Sequence, residues 1–162
     1  MSLDFTRKPR KKAFTPFKSA AVLSIMAATL WVETHANAEP ARDVVQLTNS
    51  YRAQIGLPPL RVSMQLERVA QSHGEDMVRN DFFSHWGSDG SDIGDRALRD
   101  GYGYCVIAEN IAQGHRSANS VAKGWMKSAG HRRNMLDRSV TEIGVTRSRQ
   151  NTWVMVLGSR SC

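Results

Sequence analysis

The order of the helical and strand-like patterns is the feature of this sequence that most constrains its fold. Apolar residues at helical spacing predict a first helix over 40–54 and a second one that ends near Asn80. In a third, short helix, Ile93, Ala97 and Leu98 are expected to face inward. The residues able to cap the second, third and fourth helices are Ser63, Ser91 or Asp92, and Ser117.

Strand-like sequence is concentrated at the end of the chain. Two β-rich runs, 142–146 and 152–157, flank the residues 148–151, which predicts a hairpin. The mixed segment 104–111 predicts a strand that runs into a turn. Because the helices come first and the strand pair last, the predicted fold class is α+β, with helices packed on an antiparallel sheet.

The first 38 residues have the pattern of a secretory signal peptide. A basic leader precedes a mostly apolar run over 20–32, and Ala36-Asn37-Ala38 has small residues at the positions that precede cleavage. The apolar run is shorter than the about 20 residues that a membrane-spanning helix needs. An uncleaved anchor or a buried helix is the alternative. We therefore expect a signal peptide over 1–38 and a secreted or periplasmic domain over 39–162 without a membrane span.

The charge of the chain argues against a nucleic-acid partner. The whole chain has 22 basic and 15 acidic residues. The predicted signal peptide holds six of the basic and two of the acidic residues, so the mature domain carries 16 minus 13, or +3. The basic excess therefore belongs largely to the leader, and we expect no nucleic acid to bind. We also expect the domain to be a monomer.

The two cysteines, Cys105 and Cys162, both lie in the predicted mature domain. In an oxidising compartment, two cysteines in one domain most simply form a disulfide. Such a bond would tie the C-terminus to the middle of the fold, and the chain-entropy model gives about 4 kcal/mol of stabilisation. Two free thiols are the alternative.

Three short motifs carry side chains suited to chemistry: Ser84-His85-Trp86, Ala108-Glu109-Asn110 and Gly130-His131-Arg132. Each places one ionisable side chain in or beside turn-rich sequence, where binding groups are common. Two neutral imidazoles and a carboxylate could hold zinc or another divalent metal, with a fourth position open. The same groups could instead transfer protons. His73, on the apolar face of the second helix, is predicted to be a hydrogen-bonded core residue.

The motifs also resemble those of a known family. The runs NSYRAQIGLPPL, FFSHWGSDGS, AENIAQG, GWMKSAGHRRNML and TEIGV resemble, in type and order, a bacterial, SCP-like member of the CAP superfamily. This superfamily includes cysteine-rich secretory proteins, antigen 5 and plant pathogenesis-related 1 proteins. The resemblance covers about 44–157. It implies a three-layer α/β/α sandwich with a central antiparallel sheet and an open cleft.

The resemblance also implies a set of residues in the cleft. The residues that match the family's motifs are His85, Glu109 and His131. A second glutamate of eukaryotic members lies three residues after a tryptophan, and counting from Trp125 that position is Ser128. Ser128 can form hydrogen bonds but supplies no charge. Glu142 is a candidate to replace the missing glutamate in space.

Three functions are compatible with these residues. A binding module would hold a divalent metal through His85, His131 and Glu109, and would take a cell-envelope, lipid or host ligand in the cleft. A hydrolase would use Glu109 or a histidine to activate water, directly or on the metal, and would cut a peptide or an ester. No nucleophile motif such as G-x-S-x-G occurs, which favours binding. In a structural envelope protein the site would be vestigial, which the substitution at Ser128 favours.

Overall fold

The computed structural model describes residues 39–162, so the predicted signal peptide over 1–38 lies outside the described residues. Helices cover both faces of one four-stranded sheet, which confirms the three-layer sandwich. The helices are α1 (39–54), α2 (Met64–Arg79), α3 (Ile93–Arg99), α4 (Ala118–Lys127) and α5 (Ala129–Met135). The strands are β1 (Arg61–Val62), β2 (Val106–Ala112), β3 (Glu142–Ser148) and β4 (Thr152–Ser159).

The sheet has the strand order β1-β3-β4-β2. Strands β3 and β4 form the predicted hairpin, joined by a short 3₁₀ turn over Arg149–Asn151. Strand β2 pairs antiparallel with β4, in a register that places Glu109 opposite Val156. The two-residue strand β1 pairs parallel with β3, so the sheet is antiparallel except at this edge. The other edge of the sheet is β2, which carries one of the predicted site residues.

A separate hydrophobic core fills each side of the sheet. Helices α1, α4 and α5 pack on the face that carries Trp153 and Met155. Helices α2 and α3 pack on the opposite face, against Val154 and Val156. Helix α2 crosses β3 at Gly144, where a side chain would collide with the backbone of Leu66. Because Gly144 has no side chain, the backbone of α2 lies directly against β3.

The predicted N-caps are confirmed. The hydroxyls of Ser63 and Ser117 each accept a hydrogen bond from the first turn of α2 and of α4. Asp92 begins α3 in a reciprocal capping box with Asp95. One prediction for α3 is wrong, because Leu98 is 59% exposed while Arg96 is buried. The guanidinium of Arg96 is buried because an ion-pair partner and two backbone carbonyl groups lie within its reach.

The predicted disulfide between Cys105 and Cys162 is present. It closes a loop with a sequence separation of 57 and holds the C-terminus against the start of β2. The guanidinium of Arg160 lies 4.2 Å from the ring centre of Tyr102, which adds a second attachment of the terminal segment. No helix within 39–162 is both long enough and apolar enough to cross a membrane.

Candidate functional site

The three predicted site residues lie on strand β2 and on two segments next to it. Glu109 is in the middle of β2, and His85 is in the loop between α2 and α3. His131 is in α5, which packs on the opposite face of the sheet. The strand predicted over 104–111 contains Glu109, whereas no helix is predicted around His131, which lies in α5. The site is therefore assembled at the free edge of the sheet, which both helical layers reach.

Glu109 is a buried carboxylate with a donor on each oxygen. Its side chain is 2% exposed. Oε1 lies 2.7 Å from Nδ1 of His85, and Oε2 accepts a hydrogen bond of 2.9 Å from Nη2 of Arg96. Burial of a carboxylate is tolerated when it is paired with a cation and fully hydrogen-bonded. Each oxygen of Glu109 therefore holds one neighbour, Oε1 the ring of His85 and Oε2 the guanidinium of Arg96.

Arg96 is a site residue that the sequence analysis missed. Its Nη1 donates to the carbonyl oxygen of Ser91 at 2.8 Å, and its Nη2 donates to that of His85 at 3.1 Å. One guanidinium thus joins α3, the loop and β2. In sequence, an arginine in a short charged helix predicts a solvated side chain, so no local pattern indicates this burial.

His73 lies behind the carboxylate, on α2. Its ring is buried, and Nε2 is 2.9 Å from the carbonyl oxygen of Ser84, which can only accept. Nε2 therefore carries the hydrogen in the neutral ring, and it lies 3.8 Å from Oε1 of Glu109. Burial lowers the pKa of His73 below its ordinary value. The prediction of a hydrogen-bonded core histidine is confirmed.

His85 is the exposed member of the cluster, with a side chain that is 55% exposed. Because its Nδ1 donates to Glu109, Nε2 of the neutral ring bears the lone pair. The neighbouring Ser84 accepts a hydrogen bond of 3.0 Å from the backbone of Trp86, which shapes the loop. The exposed aromatic rings of Phe83 and Trp86 flank His85 along the chain. The loop thus carries one oriented nitrogen and two exposed aromatic side chains.

His131 is held beside β2 by two asparagines. Nδ2 of Asn110 donates to the carbonyl oxygen of His131 at 3.1 Å, and Asn134 donates to Oδ1 of Asn110 at 2.9 Å. Burial lowers the pKa of His131, and the nearby charge of His85 lowers it further. Both effects favour the neutral form of the His131 ring, in which one nitrogen bears a lone pair.

The two supporting candidates lie in different places. Ser128 is the residue between α4 and α5, three positions before His131. Glu142 accepts a hydrogen bond of 2.6 Å from the hydroxyl of Tyr102 and lies 3.7 Å from Arg160. In the sheet it is displaced from Glu109 by two residues, about 7 Å, and by two strands, about 10 Å. Glu142 thus belongs to a cluster around Tyr102, and we assign it no part in the site.

The site offers fewer accessible metal-ligating side chains than an ordinary zinc centre uses. Within 39–162, no group of three or more histidine, cysteine, aspartate or glutamate side chains is arranged to hold a metal. Both oxygens of Glu109 accept hydrogen bonds and its side chain is 2% exposed, so the accessible nitrogen donors are the imidazoles of His85 and His131. Two imidazoles fit zinc chemically but fall short of the three protein ligands of a usual catalytic zinc site.

A cavity of about 350 Å³ lies beside this cluster, between α2 and α3. His73 and Arg96 line it, together with serine hydroxyls, negatively charged aspartates and positively charged arginines. Its lining includes neither His85 nor His131. The cavity is therefore separate from the predicted cleft.

Comparison with known proteins identifies related sequences. Residues 45–157 match the family model named CAP, the cysteine-rich secretory protein family. The uncharacterised protein YkwD of Bacillus subtilis (strain 168) is 36% identical over 104 residues, which are 64% of this chain and 40% of YkwD. The uncharacterised membrane protein YlbC of the same organism is 32% identical over 104 residues, 64% of this chain and 30% of YlbC. The chain thus spans less than half the length of these relatives.

Solved structures of similar fold come from three other bacteria. An extracellular protein of Bacillus anthracis strain Ames that contains an SCP domain matches with a TM-score of 0.73 and 31% identity, over 76% of this chain and 41% of that one. An outer surface protein of Borrelia burgdorferi matches with a TM-score of 0.69 and 20% identity, over 76% and 94%. A cysteine-rich secretory protein of Staphylococcus aureus has a TM-score of 0.67 and 20% identity, over 76% and 39%. At 20% identity the likeness shows the fold alone.

Proposed function

Because the chain belongs to the cysteine-rich secretory protein (CAP) family, we propose that it is an exported binding module. Its cleft would bind a divalent metal, zinc by preference, through His85 and His131. A cell-envelope, lipid or host ligand would be bound in the same cleft by a monomeric domain. The family by itself does not fix an activity, so the proposal rests on the geometry of the site.

The observation that carries the proposal is the hydrogen bond of 2.7 Å between an exposed imidazole, that of His85, and a buried carboxylate, that of Glu109. A carboxylate behind a histidine fixes the tautomer and the direction of the ring, and this is the usual support of metal-binding histidines. The arrangement directs the lone pair of Nε2 away from the carboxylate. The ring of His131, whose lowered pKa favours the neutral form, would add a second nitrogen donor.

Glu109 has a changed role in this proposal. The sequence motif predicts it to be a metal ligand, whereas both its oxygens accept hydrogen bonds in the folded chain. We assign it to orientation of His85. Zinc would then be held by His85 and His131, with the remaining positions filled by water or by the ligand, and would supply a Lewis acid for an oxygen of that ligand. We expect weaker binding than at a four-ligand structural site.

Three observations support export of the domain. The first is the signal-peptide pattern over 1–38. The second is the disulfide between Cys105 and Cys162, since such bonds persist in oxidising compartments. The third is that two of the similar solved proteins are described as an extracellular protein and an outer surface protein. Detection of the processed protein outside the cytoplasm, beginning near Glu39, would test this part of the proposal.

A hydrolase is the second candidate, and the same hydrogen bond favours it. With Nδ1 bonded to Glu109, Nε2 of His85 could accept a proton from water that attacks a peptide or an ester. Among the described residues, the hydroxyl of Ser84 accepts a hydrogen bond from the backbone of Trp86 and forms none with the His85 ring, which argues against that serine as an activated nucleophile. Turnover of a peptide or ester library that is lost in His85→Ala would favour the hydrolase over the binding module.

Calorimetric zinc titration of the purified, exported protein tests the metal proposal. We expect saturable one-to-one binding that is lost in His85→Ala and in His131→Ala. His115→Ala serves as the matched control, since His115 lies before α4 and bonds to Ser120. Equal zinc binding by the wild type and both cleft variants would exclude these two histidines as ligands. No binding by the wild type would reject the metal and leave the hydrolase and direct ligand binding to be tested.

A further inference from the structure

We propose that Arg96 is the positioning residue of the cleft, which fixes the direction of the His85 ring through Glu109 and through the His85 backbone at the same time. The inference rests on the proposed role of His85 as the residue that meets the ligand. In this inference, the orientation of His85 also requires Arg96 on α3, which does not itself contact the ligand.

The contacts of Arg96 converge on both ends of the His85–Glu109 pair. Its Nη2 donates to Oε2 of Glu109 at 2.9 Å and to the carbonyl oxygen of His85 at 3.1 Å. Its Nη1 donates to the carbonyl oxygen of Ser91 at 2.8 Å, which fixes the other end of the same loop. The planar fork of a guanidinium holds several acceptors in fixed directions, whereas the donors of a lysine ammonium are rotatable and lie on a single nitrogen. Arg96 thus couples the side chain that orients His85 to the backbone that carries it.

Helix α3 holds Arg96 at a defined position. The capping box of Asp92 and Asp95 fixes the start of the helix. The helix also packs closely on Tyr104, because a side chain at Gly94 would collide with the Tyr104 hydroxyl. A side chain at Gly94 would require the Tyr104 ring to move, so the contact of α3 with this ring helps to fix the position of Arg96. The guanidinium is therefore placed by α3 rather than drawn in by Glu109 alone.

The consequence concerns the tautomer of His85. With Arg96 in place, the Glu109 carboxylate is a fixed acceptor for the Nδ1 hydrogen, and Nε2 keeps the lone pair. Without the guanidinium, the buried carboxylate loses its ion-pair arginine and the loop loses two hydrogen bonds. A carboxylate that the guanidinium no longer holds can turn away from Nδ1, and the ring of His85 is then free to adopt either tautomer. An arginine that served stability alone would change the unfolding free energy without changing the tautomer.

The test combines nitrogen NMR with zinc titration on the full exported protein. Imidazole ¹⁵N spectra report which ring nitrogen carries the hydrogen, and a His85→Ala spectrum assigns the signal. The variants are Arg96→Met, which removes the cation, and Arg96→Lys, which keeps a charge without the fork. Arg99→Met is the matched control, since Arg99 follows on the same helix and pairs with Asp89 at the surface.

We expect the Nδ1–H tautomer of His85 in the wild type and in Arg99→Met, and a mixture of tautomers in both Arg96 variants. Zinc affinity should fall by about 10- to 100-fold with Arg96→Met, the usual effect of removing a group that supports a metal-binding histidine. If Arg96→Met does not fold, Arg96→Lys decides. An unchanged tautomer in a folded Arg96 variant would overturn the inference, as would an Nε2–H tautomer in the wild type. A wild type that has the Nδ1–H tautomer but binds no zinc would reject the metal proposal and leave this inference standing.

Discussion

Asn134 of α5 donates a hydrogen bond of 2.9 Å to the side chain of Asn110, in the middle of β2. Asn110 in turn donates to the carbonyl oxygen of His131. The pair fastens the helix that carries one histidine to the strand that carries the residue orienting the other. Two side-chain amides, neither of them ionisable, therefore connect the helix that carries His131 to the strand that carries Glu109.

We predict that Asn134→Leu weakens zinc binding without changing the tautomer of His85. The substitution leaves Oδ1 of the buried Asn110 without its donor, which costs about 1–3 kcal/mol of unfolding free energy. Helix α5 is then less firmly placed. The backbone carbonyl of Glu109 loses a 3.4 Å hydrogen bond from Asn134, whereas the Glu109 side chain keeps its bonds to His85 and Arg96. Urea unfolding, zinc titration and ¹⁵N spectra of this variant measure the three effects. Unchanged zinc affinity in a destabilised variant would show that the asparagine pair does not set the position of His131.

We predict that Glu109→Gln is strongly destabilising, by about 3–5 kcal/mol, because it leaves the buried guanidinium of Arg96 without an anion. Loss of function in this variant is therefore no proof that Glu109 is a base. The double variant Glu109→Met/Arg96→Met removes both charges and should recover much of the stability, although not the tautomer of His85. Urea unfolding compares the three proteins. A loss below about 1 kcal/mol in Glu109→Gln would show that the ion pair contributes little.

The elements of the fold could be predicted because their signals are local. Ser63, Asp92 and Ser117 cap the helices as predicted, and the apolar spacing of the strands indicates their pairing. The parallel partner β1 could not be predicted, because two residues have no periodicity. Helix α5 was missed since it begins directly after α4, without a turn signal between them.

The site was predictable only where an ionisable residue stands in a motif. His85 and Glu109 were singled out in this way, and the structure joins them by a hydrogen bond. No sequence motif indicates Arg96 as a site residue. The partners that make its burial favourable are 5 to 13 residues away in sequence, and they contact it only in the folded chain. Glu142 was named for its charge, yet that charge is used by Tyr102 and Arg160.

Stability should fall with acidification, and His73 should account for part of the loss. Burial lowers the pKa of His73 from 6.5, so just below pH 6.5 the unfolded chain binds more protons than the folded one. Stability is therefore full above pH 6.5, falls as the pH drops through 6.5, and levels off below the folded pKa. The lowered pKa of His131 acts in the same direction.

The variant His73→Gln tests this pH dependence, since the glutamine amide can donate to the carbonyl oxygen of Ser84 in place of Nε2. We expect lower stability at pH 7.5 but a shallower decline between pH 6.5 and lower pH, measured by urea unfolding across the range. His115→Gln is the control and should keep the wild-type decline. An equally steep decline in His73→Gln would contradict the assignment.

The disulfide should contribute substantially to stability. Cys105 and Cys162 close a loop with a sequence separation of 57, for which the chain-entropy model gives about 4 kcal/mol. We therefore expect Cys105→Ser/Cys162→Ser to unfold at a much lower urea concentration than the oxidised wild type. Alkylation of the exported wild-type protein before mass analysis should modify neither cysteine. Modification of both would show that the bond does not form in the cell.

The central claim is that Nε2 of His85 and the ring of His131 form one metal-binding pair, with Glu109 behind it. Zinc anomalous diffraction from crystals of the exported protein tests this claim most directly. The account predicts one anomalous peak about 2.0–2.1 Å from Nε2 of His85 and from a nitrogen of His131, with both oxygens of Glu109 still bonded to His85 and Arg96. A zinc ion bound to an oxygen of Glu109, or zinc found only away from both histidines, would contradict it.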